Sequence, residues 1–163
     1  MILERLNQVA AADPAAVAII DGAVSLSYGE LMERCAGWAG LLKGRCEAGG
    51  IVAVSLPNCW QYPVCFFAIA GLGAICMPFN PQWRAAEVAW FVERLGIGLV
   101  ITNSELRGPW DESGVGVILV DSVDHAYEPR HRLSVPDGSA PALYLTTSGS
   151  TGRPKIVPRT QAN

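Results

Sequence analysis

Ten consecutive residues near the end of the chain carry the most chemistry. Thr146, Thr147, Ser148, Gly149, Ser150, Thr151 and Gly152 form an unbroken run of small hydroxyl-bearing residues and glycine, followed by Arg153, Pro154 and Lys155. Glycines let backbone N–H groups converge into a concave nest, hydroxyls add further donors, and a lysine at the rim adds a mobile positive charge. Together these groups bind phosphate oxygens. The pattern is not GxxxxGK[ST], because Lys155 stands three residues beyond Gly152 and Ile156 follows it. A flexible Ser/Gly linker is the plain alternative. Pro154, Lys155 and the apolar Ile156-Val157 end the run too abruptly for one.

The charge distribution agrees with an anionic ligand at this end. The 163-residue chain has 12 Lys+Arg against 15 Asp+Glu, a net charge of −3, so it has no global basic field to hold DNA or RNA. Residues 138–163 nevertheless carry three cations (Arg153, Lys155, Arg159) and no acid, leaving nine cations and fifteen acids on the rest. A basic, Gly/Ser/Thr-rich end on an acidic body suits a small anion. The chain is 50% hydrophobic and 17% charged, which excludes a disordered tail and a coiled coil.

Other candidate sites are weaker. The five cysteines, Cys35, Cys46, Cys59, Cys65 and Cys76, are odd in number and never spaced CxxC. They read as buried free thiols in a reducing, cytoplasmic setting, not as a disulfide framework or zinc site. Asp121, Asp124 and His125 could be drawn as a metal cluster, but surface loops commonly hold such residues, and no metal site is assigned. His131, between Arg130 and Arg132, reads as a solvated charge run. Gly71-x-Gly73 lacks the third glycine of a dinucleotide fingerprint. Trp60, Trp83 and Trp90 read as core or interface aromatics. The N-terminus MILERLNQVAAADP is too interrupted by polar residues for a signal peptide. The longest apolar run, Val64 to Met77, is 14 residues, too short for a membrane span.

The elements that must position the glycine-rich run follow from periodicity. Apolar residues at 2, 3, 6, 9 and 10 predict a helix over 2–12, stopped by Pro14. Asp21-Gly22 between two short apolar pieces predicts a hairpin. Ser27 and Glu30 form a capping box, with Leu31, Cys35, Trp38, Leu41 and Leu42 on one face of the helix that follows. Strands are expected over 51–56, 74–78, 98–102, 117–120 and 140–146, with helices over 60–72 and 84–95. Residues 105–116 read as a polar loop and 125–137 as a charged connector. Alternating apolar strands and helices imply βαβ units: an α/β fold with a mainly parallel sheet flanked by helices.

TTSGSTGRPKIV resembles the phosphate-loop signature of the adenylate-forming (AMP-dependent synthetase/ligase) superfamily, which includes acyl- and aryl-CoA synthetases, luciferases and peptide-synthetase adenylation domains. Two earlier segments agree in order. Leu26-Ser27-Tyr28-Gly29-Glu30-Leu31 resembles the family's LTYxEL, and residues 70–81, AGLGAICMPFNP, resemble its helix-to-strand passage. Ile156 departs from the usual glycine, and Gln161 from the histidine of a Thr-His-x-Asn ending. Pro158-Arg159-Thr160 resembles aryl-acid members. Asn80-Pro81-x-x-Arg84-x-x-Glu87 resembles CoA ligases more than amino-acid adenylation domains.

The resemblance implies that residues 1–163 are an incomplete N-terminal portion of an adenylation domain, ending just after a phosphate loop at 146–157. In the complete enzyme a carboxylic acid would be activated by ATP with Mg to an acyl-adenylate, then passed to CoA or to a phosphopantetheine carrier. Thr147, Ser148, Gly149, Ser150, Thr151, Gly152 and Lys155 would hold the outer phosphates. No catalytic residue is assigned, since the family's other motifs lie further along. Two alternatives stand beside this reading: a non-catalytic phosphate-binding or interaction module, and one half of a split ligase. The chain is expected to lack support on the far side of the loop.

Overall fold

The computed structural model describes residues 2–123, 131–147 and 154–162. Helix α1 (Ile2–Ala12) buries Leu3 and Leu6. Strands β1 (Val17–Asp21) and β2 (Val24–Ser27) pair antiparallel, turning at Gly22 with φ of 58°. Helix α2 (Tyr28–Leu42) starts with the expected reciprocal cap. The Glu30 N–H donates to Ser27 Oγ at 3.2 Å, and the Ser27 N–H donates to the Glu30 carboxylate at 2.8 Å. These bonds hold the Glu30 carboxyl below its ordinary pKa, because they favour the charged form.

The larger sheet contains β3 (Ile51–Ser55), β4 (Ile75–Pro78), β5 (Leu99–Thr102), β6 (Gly116–Leu119), β7 (Pro141–Thr147) and β8 (Lys155–Thr160). Its order is β6-β5-β3-β4-β7-β8; all neighbours are parallel except the last pair. Helices α3 (Gln61–Gly71) and α4 (Ala85–Leu95) connect β3 to β4 and β4 to β5.

Side-chain alternation divides the core into two layers. Val52, Val54, Cys76, Leu99, Ile101 and Ile118 pack with α1, α2 and α3. Ala53, Met77 and Val100 pack with α4 and an aromatic group. Strands covered on both faces must be apolar throughout, which is why they read as unbroken runs. In the second layer Phe79 lies edge-on to Trp83, Phe91 and Trp110, with centroids 5.0, 5.4 and 4.8 Å away, and Trp83 stacks on Phe91.

Trp110 corrects the reading of residues 105–116 as a mere polar loop. It ends a short 3-10 turn (Gly108–Trp110) and is 1% exposed. A single tryptophan anchors the segment, while the polar residues around it mask that anchor in any average over the window. Past β6, residues 131–134 form a strap across α2 and α3. The His131 N–H donates to the Ala36 carbonyl, Ser134 N–H and Oγ both donate to the Gly71 carbonyl, and Leu133 is buried between them. His131 is therefore half-buried and tied to α2, where the sequence suggested a solvated charge run.

Candidate functional site

Strands β3, β4, β5 and β7 end at one edge of the sheet, at Ser55, Pro78, Thr102 and Thr147. β4 and β5 flank β3 on opposite sides, so the strand order reverses there. In open α/β sheets, ligands collect at the carboxyl edge near such reversals.

The loops leaving this edge are held by their own side chains. Asn80 Oδ1 accepts from the Gln82 N–H at 3.0 Å, and its carbonyl accepts from the Trp83 N–H at 3.0 Å. Asn103 Oδ1 accepts from the Leu106 N–H at 2.9 Å. Asp121 accepts from the Ser104 N–H at 3.1 and 3.2 Å, and hydrogen bonding from Ser104 lowers its carboxyl pKa. Thr102 Oγ1 is buried and donates to the Ser55 carbonyl at 2.9 Å, locking β5 to β3 at the same edge. Asp21 reaches out of the small hairpin to accept from the Trp60 N–H at 2.9 Å, at the start of α3.

Thr147 and Lys155 come together here. They face each other as the last pair of the β7–β8 ladder, and both are exposed. Facing residues in an antiparallel pair have Cβ atoms about 4.5–5.5 Å apart, which brings the two ends of the glycine-rich run together. Ser148, Gly149, Ser150, Thr151 and Gly152 lie outside the described residues, as do Asp124, His125 and Arg130. The expected strand 140–146 runs one residue further, which makes Thr147 the strand's end. β8 was not anticipated. It corrects the expectation of an unsupported far side, because Lys155–Thr160 folds back on β7 and fixes the second end of the loop.

Arg84 and Glu87 acquire a structural role. The Glu87 carboxylate accepts from the Arg84 N–H at 2.9 Å and so caps the start of α4. The sequence feature that resembles CoA ligases thus starts a helix. Gln161, noted in the sequence only as a departure, is 1% exposed and belongs to the core. No local signal marks it, because it lies one residue past the end of β8 and is covered by the end of α3, far away in sequence. Among the described residues, no group of three or more His, Cys, Asp or Glu is placed to hold a metal ion, and no helix is long and apolar enough to cross a membrane.

Comparison with known proteins fits this geometry. The profile of the family described as AMP-binding enzyme matches residues 6–163. A 2-hydroxy-7-methoxy-5-methyl-1-naphthoate–CoA ligase of Streptomyces carzinostaticus is 31% identical over 188 residues, covering 96% of this chain and 34% of the relative. Tyrocidine synthase 3 of Brevibacillus parabrevis is 29% identical over 160 residues, covering 94% of this chain and 2% of that protein. The crystal structure of ATP-bound MatB from Rhodopseudomonas palustris superposes with a TM-score of 0.86 at 24% identity. The superposition covers 98% of this chain and 34% of that one, and is a likeness of fold. The chain spans about a third of the length of the CoA ligase it matches.

Proposed function

Because the chain belongs to the AMP-binding enzyme family, we propose that it is the N-terminal portion of an AMP-forming acid–thiol ligase, with residues 146–157 as its phosphate loop. In that reaction a carboxylate oxygen attacks the α-phosphorus of ATP and the bond to pyrophosphate breaks. A thiol of CoA or of a pantetheine arm then attacks the acyl carbon, and AMP leaves. The first step brings two anions together, so positioning and charge neutralisation carry most of the catalysis.

The observation that carries this reading is the pairing of exposed Thr147 with exposed Lys155 at the carboxyl edge of the sheet. Thr147, Ser148, Gly149, Ser150, Thr151 and Gly152 supply hydroxyl and backbone donors to the β- and γ-phosphates. Lys155 supplies the cation that follows the departing pyrophosphate. Thr147 and Lys155, at the two ends of the run, are held together by the ladder. Magnesium, brought by the nucleotide, would supply further charge neutralisation at the phosphates, and no residue of this chain is assigned to hold it.

The test uses the ligase that carries this segment, with ATP and acid varied separately. An ammonium opposite a phosphate oxygen makes charge-assisted hydrogen bonds worth about 1.5–3 kcal/mol each. Lys155→Ala is therefore expected to lower the rate of ATP–pyrophosphate exchange by roughly 10- to 150-fold. Lys155→Arg keeps the charge but not the compact donor and should restore only part of it. A raised KM for the acid with unchanged ATP kinetics would place Lys155 in the acid pocket and overturn the assignment.

A further inference from the structure

Gln161 sits at the opposite end of β8 from the loop. Its N–H donates to the Ala140 carbonyl at 3.0 Å, and its own carbonyl accepts from the Ile2 N–H at 3.2 Å. Its carboxamide is buried under the end of α3, with Nε2 3.5 Å from the Ala70 carbonyl. Oε1 has no hydrogen-bond partner among the described residues. An unpaired buried oxygen costs stability, so shape and backbone bonds hold this side chain in place.

Side chains alternate along a strand, and this fixes what the burial controls. Leu143 packs in the layer of α1, α2 and α3, whereas Tyr144 and Ile156 pack in the layer of α4. Leu143 faces Arg159 and Thr147 faces Lys155, so Arg159, Thr147 and Lys155 all project on the α3 side of the sheet. Gln161, the residue just past the end of β8, lies on that same side, against the Ala70 carbonyl of α3. A slip of β8 by one residue would reverse every side chain. It would pull Gln161 from beneath α3 and carry Lys155 to the other face.

We propose that Gln161 is a positioning residue: its burial beneath α3 fixes the face of β8, and so sets Lys155 beside Thr147 at the phosphate loop. The functional part rests on the reading of that loop given above. Two features assist. The ladder shifts register between Pro141 and Leu143, leaving Ala142 as an extra residue on β7. Pro158, on the edge strand, can donate no hydrogen bond and is tolerated only with its nitrogen turned away from the ladder; a slip would turn it inward.

Disulfide trapping reads the register directly. Tyr144 faces Pro158, which makes theirs a non-hydrogen-bonded pair. Thr146 and Ile156, two residues along, then form another such pair, the kind with the shorter separation. With diamide as the two-electron oxidant and peptide mapping by mass spectrometry, Thr146→Cys/Ile156→Cys is expected to crosslink in the otherwise unchanged chain. Thr146→Cys/Lys155→Cys and Thr146→Cys/Val157→Cys are not. Adding Gln161→Ala should reduce the first crosslink by roughly tenfold and allow one of the others. Gln161→Met, similar in length and shape, should restore the original pattern. If Gln161→Ala still gives only the first crosslink, or Gln161→Met fails to restore it in a folded chain, Gln161 does not set the register. In the ligase that carries this segment, Gln161→Ala should raise the KM for ATP and leave that for the acid unchanged, and Gln161→Met should reverse the effect. Unaltered ATP kinetics in Lys155→Ala, alongside a crosslink lost in Gln161→Ala, would defeat the phosphate reading and leave the register assignment standing.

Discussion

Replacing Gly71 with alanine should destabilise this protein, although the same change inside an isolated helix would stabilise it by up to about 1 kcal/mol. Gly71 ends α3 beneath the strap of residues 131–134. A Cβ there would stand 2.6 Å from Leu133 Cδ2, 3.0 Å from its Cβ and 3.2 Å from its Cγ. Leu133 is 8% exposed and has little room to turn aside. The strap cannot lift as a whole, because the His131 N–H holds the Ala36 carbonyl at 2.9 Å and Ser134 holds the Gly71 carbonyl at 3.1 Å through N–H and 2.7 Å through Oγ. Overpacking of this kind costs about 1–3 kcal/mol. After the helix gain, which is smaller at a helix end, the net loss should be about 1–2 kcal/mol. Leu133→Ala alone leaves a cavity and should cost about 2–5 kcal/mol. In the double variant the new methyl group occupies part of that cavity, so the two losses should not add. Urea unfolding of the four proteins, with m-values compared, gives the coupling energy, expected at more than about 1 kcal/mol. Additivity within about 0.5 kcal/mol, or a stabilised Gly71→Ala, would refute the close packing of strap and helix.

Burial pushes the Cys76 thiol up to about 12 and raises those of Cys35 and Cys65 as well, with Cys76, Cys35 and Cys59 surrounding Cys65. Thiols exposed on unfolding release protons near their ordinary value of 9.0, whereas the folded state keeps them. The stability they contribute is thus complete below about pH 9 and lost as pH rises toward 12. A urea midpoint that stays level between pH 8 and about 11 would contradict this. The same burial should leave Cys35, Cys65 and Cys76 unalkylated by iodoacetamide in the native chain and fully labelled in denaturant. The 163-residue chain alone, spanning 34% of the CoA ligase it matches, is expected to show no ATP–pyrophosphate exchange with a panel of aliphatic and aromatic acids. Exchange above a heat-killed control would defeat that expectation.

The elements built from local rules were legible in the sequence. The spacing of Leu3, Leu6, Val9 and Ala10 predicted α1 over the residues it occupies, and Ser27 with Glu30 predicted the reciprocal cap of α2. The β3, β4 and β5 strands were legible as apolar runs because both faces of the sheet are covered. Trp110 escaped because its burial depends on Phe79 and α4, which are distant in sequence. β8 escaped because Lys155-Ile156-Val157-Pro158-Arg159-Thr160 has a proline and two charges. Those features suit an edge strand but do not announce one.

By itself, the sequence determined that a glycine- and hydroxyl-rich run ends in a lysine at the basic end of an acidic α/β chain. Residue types and spacing state that much, and they also carry the likeness to the adenylate-forming family. Which side of the sheet the lysine occupies, and what it stands beside, was decided by the tertiary structure. A strand has two faces, and the local sequence of Lys155–Thr160 does not by itself say which one meets α3. The choice is made where β8 meets the rest of the molecule: Gln161 beneath α3, the extra residue at Ala142, and Ile156 against the aromatic layer. Each of these contacts joins residues far apart in the chain, and only the folded arrangement of the sheet brings them together.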